Sequence, residues 1–444
     1  MERADAVIVG GGAAGLSAAA ALSRQGLRLI LLEARERLGG RILTRRFSQR
    51  PLASELGAEF IHGRSAEIFS LCNAAALLIN ELPDDHVRVV GGEFERIGNF
   101  WGEITKVRKK IRGDRDRSFS RFLDAQKSLT PRLRKLALQF VEGYHAADPD
   151  RISALALRAG DEETEGGDAN RQFRIADGYD ALIAAMRTRL DTSAEVRLGT
   201  IVRRIEWNDT SVVVQAESAA AGKLEPIRAR VVIVTVPAAV LRADFRSRAG
   251  IEIAPSIDEL AKALGKIETG QVAKVVLRFR EMFWDDRSWL ESRSKRQRPP
   301  DRPPNFLHPT DGPIQTWWTS APAQTPTITA WCGGPQAAAL LSGEEGEVVA
   351  RVLDSLASLW SQNPRRLARL LDRADFHDWS NDPFSLGAYS YVAVGGLSAQ
   401  KRLSRPFERR IILAGEATDA DETGTVSGAI SSGKRAAAQA IELM

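Results

Sequence analysis

Ala6-Val7-Ile8-Val9-Gly10-Gly11-Gly12-Ala13-Ala14-Gly15 opens the chain with an apolar run that stops at a glycine cluster. Four consecutive apolar residues read as a strand buried on both faces. Residues 13–25 carry Ala, Leu and Ser at helical spacing up to Gly26, and residues 27–32 are a second apolar run finishing at Glu33. Strand, glycine turn, helix, strand is a βαβ unit. Within it Gly10 permits the tight turn, Gly12 lets backbone approach a pyrophosphate, and Gly15 lets helix and strand pack closely. Free N–H groups at the helix start, around Ala13 and Ala14, attract phosphate oxygens. Glu33 lies 21 residues after Gly12, where a carboxylate accepts from ribose hydroxyls and repels the 2′-phosphate of NADP. This spacing alone does not separate NAD from FAD.

Working outward, the pattern over residues 68–190 predicts helices, with amphipathic spacing at 132–141 and 179–190. Strands are expected at 195–205, 211–216 and 231–236, then at 272–279 and 328–331. An amphipathic helix is expected at 347–360, and strand 411–413 leads through a glycine turn to a helix over 426–443. A nucleotide unit interrupted by helices and a second sheet implies one domain with insertions. The expected fold is α/β, a Rossmann-like domain (residues 1–72, 191–265 and 395–444) with an inserted α+β substrate domain (73–190 and 266–394).

Composition bounds the function. A chain of 444 residues exceeds a usual single core, and 43% hydrophobic with 27% charged residues fits a soluble globular protein. The net charge of +5 is dispersed, and the basic, Pro-rich stretch 293–302 reads as a solvated loop, not a nucleic-acid surface. Cys72 and Cys332 are too few for a disulfide scaffold or a multi-cysteine metal site, and read as small buried hydrophobes. Residues 13–22 lack the basic leader of a secretory signal, and no apolar run approaches a membrane span. A cytoplasmic enzyme without metal, nucleic-acid or membrane partners is expected, as monomer or homodimer.

Several further motifs share a direction. Glu33-Ala34-Arg35-Glu36-Arg37-Leu38-Gly39-Gly40-Arg41 resembles the second phosphate-contacting motif of the flavin-dependent amine oxidase family, with Arg41 suited to bidentate phosphate pairing. Leu56-Gly57-Ala58-Glu59-Phe60-Ile61-His62-Gly63 is similar to that family's segment beside the isoalloxazine ring. Ala414-Gly415-Glu416-Ala417-Thr418 and Gly424-Thr425-Val426-Ser427-Gly428-Ala429 resemble its C-terminal signature, and Val202 matches an adenine-side element. The resemblance covers nearly the whole chain and implies FAD as cofactor, an amine as substrate and dioxygen as acceptor, the relatives being monoamine and polyamine oxidases.

On the same resemblance, Lys274 matches the lysine that holds a water against flavin N5. A lysine alternating with apolar strand residues is costly to bury without partners, and Lys266 is a competitor outside the motif. Trp379 and Tyr389 match the loop beneath the flavin, Tyr389 being one wall of an aromatic cage for the amine. Ala388 stands where monoamine oxidases carry the flavin-linked cysteine, so FAD is expected to be held noncovalently. Thr425 stands where they carry the second cage wall. His62 matches a position near the substrate nitrogen, and Glu59 a backbone contact to flavin. Asp419, Asp421 and Glu422 are candidates for a distant ammonium group or caps of a surface loop. An L-amino acid oxidase, which needs a pocket arginine, remains open, as do a desaturase-type flavoenzyme and a redox-silent FAD-binding mutase.

Overall fold

The computed structural model describes residues 1–47, 50–162, 170–218, 220–286, 291 and 303–444, so the basic stretch 293–302 lies outside the described residues. Five parallel strands run in the order Ala194–Arg197, Leu29–Leu32, Ala6–Val9, Val231–Val234, Ile411–Leu413. The chain leaves Ala6–Val9 toward one neighbour and returns later on its other side. The order reverses there, and a crevice opens at the carboxyl ends of the strands.

Alternation along these strands explains the layers. Ala6, Ile8, Leu29, Leu31, Val231 and Ile233 face a core shared with helices Ala13–Ser23 and Val426–Leu443. Val7, Val9, Ile30, Leu32, Val232 and Val234 face Ile205, Val212 and Val214 of a second, six-stranded sheet. Fully apolar strands are what burial on both faces requires. The last helix starts at the N-cap Thr425, whose hydroxyl accepts from Gly428 N at 2.9 Å. It lies along Ala13–Ser23, where Ser17 Oγ donates to Ile430 O at 2.7 Å.

The larger sheet runs Leu371–Phe376, Val272–Phe279, Thr327–Gly333, Thr316–Thr319, Phe306–Pro309, His86–Val90, Glu93–Arg96. Its two faces differ in chemistry. Ala273, Val275, Leu277, Ala330, Trp317, Leu307 and Val87 form an apolar core with helix Glu345–Trp360. On the opposite face, Lys274 pairs across with Trp331, Trp331 with Thr316, and Phe306 with both Trp318 and His86.

Helices Phe100–Arg108 and Pro131–His145 face that polar and aromatic side. The second starts at Thr130, whose Oγ1 accepts from Leu133 N, with Pro131 in the first turn, and stops at Ala146 in left-handed conformation. The all-helical expectation for 68–190 is corrected: strands Ile79–Glu81, His86–Val90, Glu93–Arg96 and Gln172–Ile175 interrupt it. His86–Val90 is held by parallel pairing with Phe306–Pro309, more than 200 residues away in sequence, a partner that local periodicity does not reveal.

Candidate functional site

The crevice continues as one cavity of about 1270 Å³ from the parallel sheet to the larger one, beyond the roughly 300–1,000 Å³ of ordinary small-molecule pockets. Its first end is built by the glycine turn. Gly10 has φ +109°, and its carbonyl accepts from Thr235 Oγ1 at 3.0 Å. A Cβ on Gly15 would stand 1.9 Å from Gly10 O, so Gly15 acts by permitting packing and does not line the cavity. Gly12, Ala13, Ala14, Gly39 and Gly40 do. Gly12 and Gly40 face each other across a slot, a Cβ on Gly40 lying 3.5 Å from Gly12 Cα. Glu33, buried at the end of its strand, accepts from Gly11 N at 2.7 Å and Arg35 N at 2.9 Å. Its remaining lone pairs stay available to a hydroxyl. A slot bare of side chains, a helix N-terminus and a carboxylate at that spacing fit a dinucleotide.

Two arginines of the second motif, Arg41 (expected at phosphate) and Arg35, make ion pairs within the protein. Arg41 pairs with Glu416 at 2.8 Å and also donates to the Ala388 carbonyl. Arg35 pairs with Asp382 at 2.7 Å. These pairs tie the nucleotide end to the loop around Ala388 and Tyr389. Both arginines line the cavity, as do Ala34, Leu56, Gly57, Ala58, Val202, Gly415, Glu416, Thr425, Val426 and Ala429.

At the middle of the cavity sits Lys274, 2% exposed. Its Nζ lies 2.6 Å from Glu59 Oε2 and donates to the Gly57 carbonyl at 3.1 Å. Glu59 Oε1 in turn pairs with Arg174 at 2.6 Å and accepts from Trp318 Nε1 at 3.2 Å. Burial pushes the Glu59 carboxyl up, but Lys274 and Arg174 outweigh it and hold its pKa below the usual value. The Gly57 carbonyl takes one ammonium N–H, and Glu59 Oε2 balances the charge from a position off the line of a hydrogen bond. Lys266 is exposed, donates to the Val394 carbonyl and is not among the described residues that line the cavity.

Around Lys274 stand aromatic rings. Trp318 lies 5.7 Å from Nζ and 5.5 Å from Trp331. Tyr389 Oη donates to the Tyr144 carbonyl at 2.8 Å, and Trp379 Nε1 to the Leu56 carbonyl at 2.8 Å. Tyr144 Oη is 3.3 Å from His62 Nδ1. Burial lowers His62 to about 4, and burial with Arg108 and His62 nearby lowers His145 to about 3, so both rings are neutral near pH 7. Arg108, stacked 5.6 Å from the Phe140 ring, is lowered by burial to about 10.

Thr425 supplies no ring. It caps the last helix and donates to the Glu422 carbonyl at 2.8 Å. Asp419 caps its loop, accepting from Glu422 N at 2.9 Å, whereas Asp421 and Glu422 line the cavity. Sequence reading missed the Glu59 side chain as the lysine's partner, and also Arg174, Trp318, Trp331, Tyr144 and Arg108. Glu59 was legible as the polar residue after Gly57-Ala58. Trp331 was legible as the end of an expected strand, but its register against Lys274 was not.

Residues 13–441 match the family model described as flavin containing amine oxidoreductase. The chain belongs to this family. It is a flavin-dependent amine oxidoreductase with FAD as cofactor. Polyamine oxidase 5 of Oryza sativa is 27% identical, with 96% of this chain and 85% of that protein covered. Nicotine dehydrogenase of Pseudomonas putida is 25% identical over 99% of this chain and 89% of its own length. In fold, wild-type putrescine oxidase bound to putrescine superposes with a TM-score of 0.79 at 22% identity, and cyclohexylamine oxidase of Brevibacterium oxydans with 0.79 at 19%, each covering 99% of both chains. Among the described residues no helix is long and apolar enough to cross a membrane, and no cluster suited to a metal ion occurs.

Proposed function

We propose that the chain oxidises the C–N bond of a primary or secondary amine to an imine, which water hydrolyses to an aldehyde, with dioxygen as acceptor and hydrogen peroxide as product. The observation that carries this reading is the buried Lys274, fixed by Glu59 and Gly57 O in the same cavity as the nucleotide crevice. A redox-silent FAD-binding protein gives no reason for it. Bound FAD supplies the acceptor for the hydride leaving the carbon beside nitrogen and for electron return to dioxygen. Gly10, Gly12, Ala13 and Ala14 are assigned to its pyrophosphate, Glu33 to ribose, and Val202 to the adenine side. Gly39, Gly40, Leu56–Glu59, Gly415, Glu416, Val426 and Ala429 are assigned to the rest. Lys274 would hold a water against the bound cofactor, and Tyr389, Trp379 and His62 would wall the amine. Ala388 offers no thiol, so FAD is held noncovalently.

The cavity's carboxylates favour a substrate with a second ammonium group. Glu33, Glu59, Glu67 and Glu416 are each engaged by a backbone N–H or a cation. Asp421 and Glu422 pair with no cation among the described residues and line the cavity. Arg108, beside Tyr144 and His145, supports the other reading, an amine that carries a carboxylate, as an L-amino acid does. Anaerobic bleaching of the bound flavin by monoamines, diamines, polyamines and amino acids decides: diamines are expected to act fastest. Bleaching by amino acids alone, lost in Arg108→Ala, would replace the diamine reading.

A further inference from the structure

Beyond Lys274, the polar face of the larger sheet carries a second constellation that the oxidation reading leaves unused. His86 Nδ1 lies 2.8 Å from His308 Nε2, with the two rings within 4° of coplanar. Phe100 stacks on both, at 4.6 and 4.9 Å, and Phe306 stacks on His86 at 4.7 Å. At the inner end, His308 Nδ1 meets Thr316 Oγ1 at 3.4 Å. At the outer end, His86 Nε2 is 3.0 Å from Asp84 Oδ1, off the best line for a hydrogen bond. The His86 side chain is 5% exposed and that of Asp84 67%. Thr316, His308 and His86 all line the cavity, and the four groups form a row that ends at a solvent-exposed carboxylate.

The row begins near the chemistry. Thr316 pairs across the sheet with Trp331, and Trp331 with Lys274. Two strand spacings put Thr316 roughly 10 Å from Lys274. Stacked aromatic rings hold both imidazoles in one plane, which suits transfer between nitrogens and not the binding of a bulky ligand.

We propose that Thr316, His308, His86 and Asp84 form a proton relay that drains the cavity to solvent, through the outer strands of the larger sheet. The inference rests on the amine-oxidation reading. An alkylamine enters as ammonium, since its pKa lies near that of lysine, about 10.4, and hydride loss needs its nitrogen unprotonated. Balance is simple. A proton from the cavity forms the N–H at His308 Nδ1 while the Nε2 proton passes to His86 Nδ1. The His86 Nε2 proton leaves to Asp84 and bulk water, and both rings regain their first tautomers when one proton runs back along the row to the cavity, where reduction of dioxygen to hydrogen peroxide consumes it. The relay itself consumes no oxidant or reductant. Burial, then His86 and Arg88, keep His308 from holding the charge, so it conducts without storing. The surrounding charged groups are Asp84, and Arg88 with Glu95 at 3.6 Å and with Arg132 and Glu103 nearby.

The test uses the FAD-loaded enzyme and an amine that bleaches it, in anaerobic stopped flow. Thr316→Val, His308→Gln and His86→Asn are expected to slow flavin reduction about tenfold or more below the substrate's own pKa. Rates should converge on wild type above that pKa, where amine arrives neutral, and imidazole should restore His308→Ala. A second readout needs no turnover: flavin-free wild-type protein should show a downfield imidazole N–H resonance that His308→Gln abolishes. Unchanged rates, or equal slowing at both pH values without imidazole rescue, would overturn the relay. Absence of the resonance from wild-type protein would do the same. If no amine bleaches wild-type enzyme, the oxidation reading itself fails and the relay falls with it.

Discussion

Replacing Glu59 by glutamine should cost more stability than replacing the lysine it holds. Among the described residues, Glu59 is the carboxylate that ion-pairs with both Lys274 at 2.6 Å and Arg174 at 2.6 Å. The side chains of Glu59 and Lys274 are 10% and 3% exposed, so solvent screens the pair little. Glu59→Gln leaves the buried Lys274 and the partly buried Arg174 without their shared anion, although Arg174 keeps the Ser320 and Ala321 carbonyls. Removing one partner of a buried pair costs about 3–5 kcal/mol, and the stranded Lys274 sets the cost. Lys274→Met leaves Glu59 paired with Arg174 and puts an apolar chain of similar length among Trp318 and Trp331. Its cost is that of one charge-assisted contact, about 1.5–3 kcal/mol, reduced by the lysine desolvation it relieves. The double variant should recover roughly 1–3 kcal/mol relative to Glu59→Gln alone. Urea unfolding of the FAD-free proteins, compared by midpoint at constant slope, checks the order. Lys274→Met equal to or worse than Glu59→Gln, with no recovery in the double variant, would refute the shared-anion account.

The acid side is set by His62 and His145. Burial holds both below the ordinary histidine value, at about 4 and about 3. The unfolded chain therefore takes up protons first, and stability falls as pH drops from about 6.5 toward those values. At pH 5 the loss is on the order of 1–2 kcal/mol per ring, measured as a midpoint shift that His62→Gln should halve. Gly15→Ala would place a methyl group 1.9 Å from Gly10 O. It should lower FAD affinity and the unfolding midpoint together, measured by flavin retention on gel filtration and by urea titration. Acid precipitation should release all flavin to the supernatant, because residue 388 is alanine; colour retained in the pellet would contradict noncovalent binding.

The nucleotide end was readable because its signals are local. Apolar runs, three glycines and Glu33 lie within one βαβ unit, and the structure places Gly12, Ala13, Ala14 and Glu33 on one crevice. The middle of the cavity was half readable. Alternation over 272–279 showed that Lys274 needs a partner, but Glu59 is more than 200 residues earlier and meets it only through folding. The His86–His308 pair was invisible for the same reason, since it requires parallel pairing of two strands distant in sequence. Arg41 shows what a motif leaves out: its resemblance suggested phosphate, and folding adds Glu416 at 2.8 Å on one guanidinium nitrogen, a partner 375 residues away.

The most direct test of the account is anaerobic mixing of the FAD-loaded enzyme with an amine panel, alongside Lys274→Met. The account predicts that at least one amine bleaches the wild-type flavin. It also predicts that Lys274→Met binds FAD but is reduced, or reoxidised by dioxygen, more slowly. A wild-type flavin that no amine or amino acid bleaches, or a Lys274→Met variant with both half-reactions unchanged, would contradict it.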